Sequence, residues 1–312
     1  MAATDVAAVE VAAAILGTRA TRDEPLAPLT TYRVGGPAAL FVRARTLDDL
    51  AAVASARRET GLPVLVVGRG SNLLVADAGF TGIAVSVAEL AAQIDVLEGP
   101  QVLAGGGVPL PVLARRTAAA GLTGLEWAVG VPGTVGGAVK MNAGGHGSDL
   151  AECLVEATVF DLDAAEPGAR TVAPSDLGLR FRGSDLGDHH VVLTARLRVA
   201  PGDRAASEAT ISEIVRWRRE HQPGGQNCGS VFVNPVPGEV SAGSLVDGLG
   251  LRGHRIGSAW VSEKHANFVQ ASDGGTAADV RAIIDDVRER VAASTGFLLR
   301  SEVRLVGFGD DE

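Results

Sequence analysis

Apolar residues return at helical spacing in several stretches of this chain, with short β-like runs between them. Residues 4–16 predict a short helix, and 18–28 has the composition of a linking lead-in. Residues 29–44 read as strand, turn and strand. Thr46 precedes a helical stretch at 47–60, with Asp49 placed for a capping box and Gly61 as the stop. The β-branched run 63–68 predicts a buried strand, followed by strands near 82–87 and 101–104. Pro109 and Pro111 open a helix that runs through Ala120 to Gly121. Residues 154–161, 170–173 and 190–199 read as strands. A helix starts at Ser207, carries Ile211, Ile214 and Val215 on one face, and closes at Gln222-Pro223. Val280, Ile283, Ile284, Val287 and Val291 stripe a last helix over roughly 276–294, and 301–308 predicts a final strand.

The run 200–208 has linker composition, so the main domain boundary is expected near 200. That gives a lead-in at 1–28, a first domain at 29–200 (subdomains about 29–90 and 91–200) and a second at 201–312. No repeat, heptad pattern or low-complexity tail is visible.

Composition narrows the partners. The net charge of −9 argues against a nucleic-acid protein, because phosphate-backbone binding needs a basic face. No apolar run reaches the ~18 residues of a membrane span. Asp5 and Glu10 precede any basic residue, unlike a signal peptide. Two cysteines, Cys153 and Cys228, make neither a disulfide framework nor a metal pair, and fit a reducing cytoplasmic compartment. No H-E-x-x-H or carboxylate–histidine cluster points to a metal, so none is expected. Oligomeric state is not legible; a monomer is compatible.

Glycine placement carries the first chemical signal. Residues 130–145 read GVPGTVGGAVKMNAGG, with one lysine, Lys140, and no acid. Backbone N–H groups without a Cβ beside them can approach an anion such as a pyrophosphate. Val131, Val135, Ala138, Val139 and Met141 are interleaved, so the run should be packed, although a plain loop also fits its composition. About sixty residues earlier, VVGRGSNLLV runs a strand into Gly68-Arg69-Gly70-Ser71-Asn72, with Leu73 where a third glycine would complete G-x-G-x-x-G. Alone this is equally an ordinary strand-to-turn junction. Together the two loops fit a dinucleotide held outside the Rossmann scheme.

Four further segments carry candidate groups. GSVFVNP (229–235) presents Ser230 and Asn234 with no Ser-His-Asp pattern or G-x-S-x-G elbow nearby, so Ser230 reads as a proton donor if it is polarised. In SEVRLVG (301–307) alternation puts Glu302 and Arg304 on one face, and a solvent-facing ion pair is the simpler reading of that segment alone. FRGSDL places Arg182 near a strand start. VSEKHANF gathers Lys264, His265 and Asn267 beside Trp260 and Phe268.

In their order along the chain these six segments resemble the UDP-N-acetylenolpyruvoylglucosamine reductase family, from about residue 29 to 307. The resemblance implies an α+β fold: an FAD-binding domain of the vanillyl-alcohol-oxidase (PCMH) type made of two α/β subdomains, then a smaller α+β substrate-binding domain. It implies non-covalent FAD held by Gly68, Arg69, Gly70, Ser71, Asn72, Leu73, Gly130, Pro132, Gly133, Thr134, Gly136, Gly137, Asn142, Ala143 and Gly144. It implies NADPH as hydride donor and a UDP-linked enolpyruvyl amino sugar as substrate. Hydride would pass by way of flavin N5 to C3 of the enolpyruvyl group, and C2 would then be protonated to give UDP-N-acetylmuramate. Ser230 matches the family's proton donor, Arg182 and Glu302 its other catalytic residues. Asn234, Lys264 and Arg304 are candidates for substrate contacts. Phe181 stands where tyrosine is common and Val233 where a polar residue is common. Arg182 and Ser230 are 48 positions apart, too few for the tyrosine-bearing loop of one class, so the chain falls in the class without it. The alternative is another FAD-dependent oxidase or dehydrogenase of the same fold, for which His146 or Cys153 would be the covalent tether.

Overall fold

The computed structural model describes residues 3–309, and these divide into two compact units. The first takes the chain up to Glu24, then Ala38–Arg69 and Thr81–Arg218. The second takes Pro25–Pro37, Gly70–Phe80 and the chain from Arg219 on.

The first unit is built on two sheets. One has the order Ala20–Pro25, Pro37–Arg43, Phe80–Ser86, Val64–Val66, and its last pair is parallel. Helix Leu47–Thr60 begins with the expected capping box. The Thr46 hydroxyl accepts from Asp49 N–H, the Asp49 carboxylate accepts from Thr46 N–H, and Gly61 ends the helix at φ 69°. Its Leu50 and Val53 pack with Leu40, Val42, Ile83 and Val85. The other sheet is antiparallel, ordered Ala169–Val172, Leu154–Asp161, His190–Arg198, Gln101–Gly105, Ile94–Val96. Val102, Leu113, Trp127, Val135, Ala157 and Leu197 form its core. Phe160, Val191 and Leu193 of this sheet, with Leu162 just beyond it, join the core of the first, so the two share one interior.

Three expectations fail here for identifiable reasons. The lead-in at 18–28 contains strand Ala20–Pro25, which is polar on both faces because it is an edge, tied outward by Arg22 to Glu10. Of the strand-turn-strand expected over 29–44 only Pro37–Arg43 forms, and Ala27–Leu29 is a 3-10 turn. The supposed linker at 200–208 is already helix from Arg204, with Ser207 buried and donating to Glu126 at 2.5 Å. That helix sends Ile211 and Ile214 into the first unit's core, so the boundary lies at 218/219 rather than near 200.

The second unit packs helix Ala277–Thr295 against a three-stranded antiparallel sheet ordered Arg255–Ile256, Ala259–Val261, Val269–Ala271. All five residues of the predicted stripe, Val280 to Val291, are buried. Two distant segments complete this unit. Leu73–Val75 pairs in parallel with Arg304–Val306. The Asp77 carboxylate accepts from Ala277 N–H (2.8 Å) and Ala278 N–H (2.9 Å), placing an anion at the positive end of the helix. The final strand is shorter than the expected 301–308, because the chain bends at Val303 and pairs only over Arg304–Val306.

Candidate active site

Within the first unit, Gly68 of the first glycine segment lies against the second segment. A Cβ built on Gly68 would sit 2.6 Å from Thr134 Oγ1, so only glycine lets the first loop lie against the second. Thr134 is buried and N-caps a helix, Val135–Met141, formed inside the glycine run despite its composition. Two devices offset the glycine cost. Gly136 N–H bonds to Gly106 C=O (2.8 Å), and Val135, Ala138 and Val139 are buried. Gly106 belongs to a third glycine cluster, Gly105-Gly106-Gly107, visible in the sequence as a triplet. A Cβ at Gly106 would strike Val192 C=O at 2.0 Å.

The two loops are not equivalent toward an anion. In the second, Gly136 and Gly137 N–H groups are spent on Gly106 C=O and Thr134 Oγ1. In the first, the N–H groups of Arg69, Gly70, Ser71 and Asn72 donate to no backbone carbonyl among the described residues. Pro132 and Gly133 border the second loop, and Gly133 C=O accepts from Leu110 N–H. Ala143 and Gly144 lead into the short pairing of 144–145 with 148–149. Asn142 is buried at φ 39°, and its amide is used internally: Oδ1 accepts from Ala151 N–H, and Nδ2 faces Asp149 and the Arg180 carbonyl. Leu73 is a buried strand residue opposite Arg304. Within the first unit, Gly68, where a Cβ would strike Thr134, and the unused Arg69 N–H beside it fit a pyrophosphate-bearing cofactor.

Arg182 is not at a strand start. It occupies the tip of a two-residue turn between Arg180 and Gly183, in the left-handed region at φ 57°, where a side chain is strained. Its guanidinium lies over the exposed Phe181 ring, 4.9 Å from the centroid.

Ser230 and Glu302 lie in the second unit on neighbouring segments. Glu302 N–H donates to Val231 C=O at 2.7 Å, and Phe232 bridges Ser301. Asn72 extends this pairing: its Nδ2 donates to Glu302 C=O (2.8 Å) and its own C=O accepts from Arg304 N–H (2.9 Å). The side chain expected to face a cofactor therefore holds the Glu302 backbone. Cys228, two residues before Ser230, is buried, and that burial pushes its thiol up to about 12, with the Glu302 charge adding in the same direction. Asn234 is exposed, and its Oδ1 accepts from Ala242 N–H at the start of helix Ala242–Gly248. Lys264 is exposed and donates to Arg219 C=O. Asn234 and Lys264 thus make structural contacts that the sequence did not reveal.

One group of ligating side chains stands apart from these. Asp161, His189 and His190 bring ligand atoms within 4.8 Å of one another. Gly187 N–H donates to His190 Nδ1 (2.9 Å), which leaves the neutral ring's proton on Nε2, the atom facing Asp161 at 3.9 Å. A protonated nitrogen is not a metal ligand, so His190 in this tautomer offers no ligand atom toward Asp161.

Comparison with known proteins fits this geometry. Residues 38–165 match the FAD binding domain model, and 221–306 match the model of the UDP-N-acetylenolpyruvoylglucosamine reductase C-terminal domain. The chain is 42% identical over 287 residues to the UDP-N-acetylenolpyruvoylglucosamine reductase of Synechococcus sp. (strain WH7803), covering 91% of this chain and 92% of that one. It is 40% identical over 287 residues to that of Rubrobacter xylanophilus, covering 91% and 94%. The crystal structure of the reductase from Thermus caldophilus superposes with a TM-score of 0.77 at 34% identity, covering 92% of this chain and 99% of that one. The fold is α+β, with FAD as the cofactor, which makes the chain an FAD-dependent oxidoreductase. It belongs to the UDP-N-acetylenolpyruvoylglucosamine reductase family, enzymes of peptidoglycan synthesis.

Proposed function

We propose that the chain reduces the enolpyruvyl ether of UDP-N-acetylglucosamine to UDP-N-acetylmuramate with NADPH, and that Ser230 supplies the proton. The observation that carries this reading is the fixed pairing of the Ser230 segment with that of Glu302 through Glu302 N–H and Val231 C=O. FAD supplies the redox centre through which hydride reaches C3 of the enolpyruvyl group.

This chain's residues then have four tasks. Gly68–Asn72 and the run at 130–144 hold the cofactor, the first by its N–H groups and the second mainly by packing. Arg182 offers a planar fork to the substrate carboxylate, on which charge builds as C3 is reduced. Ser230 protonates C2, and Glu302 acts on the same carboxylate as an acid or hydrogen-bond partner. Asn234, Lys264 and Arg304 are assigned to substrate contacts. Arg304 also holds register, through its N–H, on Asn72.

A covalent-flavin oxidase is the weaker reading. The buried Cys153 thiol, pushed up to about 12 by burial, stays protonated at neutral pH and is a poor nucleophile. Among the described residues no helix is long and apolar enough to cross a membrane. Two buried free thiols support the reducing cytoplasm as the compartment.

The test separates the two half-reactions. Ser230→Ala is expected to keep NADPH-dependent bleaching of the flavin and to slow reoxidation by the enolpyruvyl substrate by about a hundredfold or more, the range of general-acid contributions. Loss of bleaching in a folded variant overturns the role given to Ser230.

A further inference from the structure

We propose that Asn267 is a positioning residue for the proton donor; this rests on the reading of Ser230 as that donor. Asn267 is buried, 5% exposed, and its side chain behaves as a short extra strand. Its Oδ1 accepts from Phe232 N–H (2.9 Å) and its Nδ2 donates to Phe232 C=O (2.8 Å). Its own C=O accepts from Val231 N–H at 2.9 Å. Three bonds from one residue thus fix the two residues that follow Ser230.

The same segment is gripped from its other side. Val231 C=O accepts from Glu302 N–H, and Val233 N–H donates to Arg300 C=O. Ser230 therefore projects from a strand-like segment clamped between Asn267 and the Glu302 chain, with Val231 and Phe232 buried beneath. A proton donor must stay within hydrogen-bond reach of the carbon it serves, and small displacements cost rate. A buried amide that meets both backbone polar groups of one residue is the sort of support that keeps such a group in place. Leucine or alanine at 267 would leave both Phe232 groups buried and unpaired.

Aspartate supplies the discriminating variant. In Asn267→Asp the carboxylate accepts from Phe232 N–H but repels Phe232 C=O; once protonated, it donates to that carbonyl and restores the pair. The titratable groups around it are His265, whose Nδ1 accepts from Asn267 N–H (3.2 Å), and Glu302 across Val231. The wild-type profile, recorded alongside, accounts for both.

The experiment is stopped-flow on the FAD-loaded chain, first mixed with NADPH and then with the enolpyruvyl sugar nucleotide, with Ser230→Ala in parallel. For Asn267→Ala the expected result is bleaching within about twofold of wild type and reoxidation at least about tenfold slower. For Asn267→Asp it is slow reoxidation at high pH that returns toward wild type as pH falls, with bleaching within about twofold of wild type across the same range; loss of stability would depress both half-reactions together. If Asn267→Ala does not fold, the aspartate profile decides alone. Equal effects on both half-reactions, no effect, or no low-pH recovery overturns the proposal. If Ser230→Ala itself reoxidises normally, the donor assignment has failed instead.

Discussion

Gly68 and Thr134, 66 positions apart in the sequence, lie so close that a methyl group on one would overlap the hydroxyl of the other. Thr134 cannot retreat easily, because it is buried and its hydroxyl also caps Gly137 N–H. Gly68→Ala is expected to cost about 1–3 kcal/mol of stability by overpacking and to lower FAD content. Thermal denaturation and the flavin-to-protein absorbance ratio measure these. Thr134→Ala alone should cost about 1 kcal/mol as a lost cap. Combined with Gly68→Ala it should cost less than the sum, since the overlap is gone.

Asn72 joins the first glycine loop to the Glu302 chain, and its variants rank by chemistry. Asn72→Ala removes the donor to Glu302 C=O and should cost about 1–3 kcal/mol if that carbonyl stays unpaired. Asn72→Asp keeps the shape but sets an oxygen against an oxygen, so it should be the less stable of the two at neutral pH. Urea denaturation at several pH values gives the order.

The two thiols predict the alkaline limb of stability. Cys153 and Cys228 hold their protons up to about pH 12 in the folded chain, against 9.0 for a free thiol. Above pH 9 the unfolded chain loses these protons first. The stability they contribute is full below that value and falls as pH rises toward 12, by up to about 1.4 kcal/mol per pH unit for each thiol. Cys153→Ala should flatten a plot of melting temperature against pH over this range. The same protonation predicts that acid precipitation leaves the flavin in the supernatant.

Asp77 tests the long-range cap. Asp77→Ala leaves two N–H groups of helix Ala277–Thr295 without their acceptor and should destabilise by about 1–2 kcal/mol. Asp77→Asn should recover part of that loss. Circular dichroism on heating checks both.

Local signals were legible and non-local ones were not. The Thr46–Asp49 capping box and the Val280–Val291 stripe are short-range patterns, and both formed as read. Strand Ala20–Pro25 was missed because an edge strand need not bury either face, which left its sequence looking like a linker. Helix Val135–Met141 was hidden by its own glycines, whose cost is offset by contacts to Gly106 and a buried apolar face. The candidate groups were visible as residue types. Their settings were not: the left-handed turn under Arg182, the inward amide of Asn142 and the partners of Asn72 and Asn267 depend on residues 3 to 230 positions away.

The second unit borrows two pieces from the front of the chain, residues 25–37 and 70–80. A ribosome therefore releases those pieces long before their partners exist, and they wait through synthesis of most of the first unit. Nor can the unit be inherited as a cassette. A crossover at residue 219 would deliver a helix without its Asp77 cap and a strand at 304–306 without its neighbour. Recombination that respects this architecture has to carry the whole gene or nearly none of it.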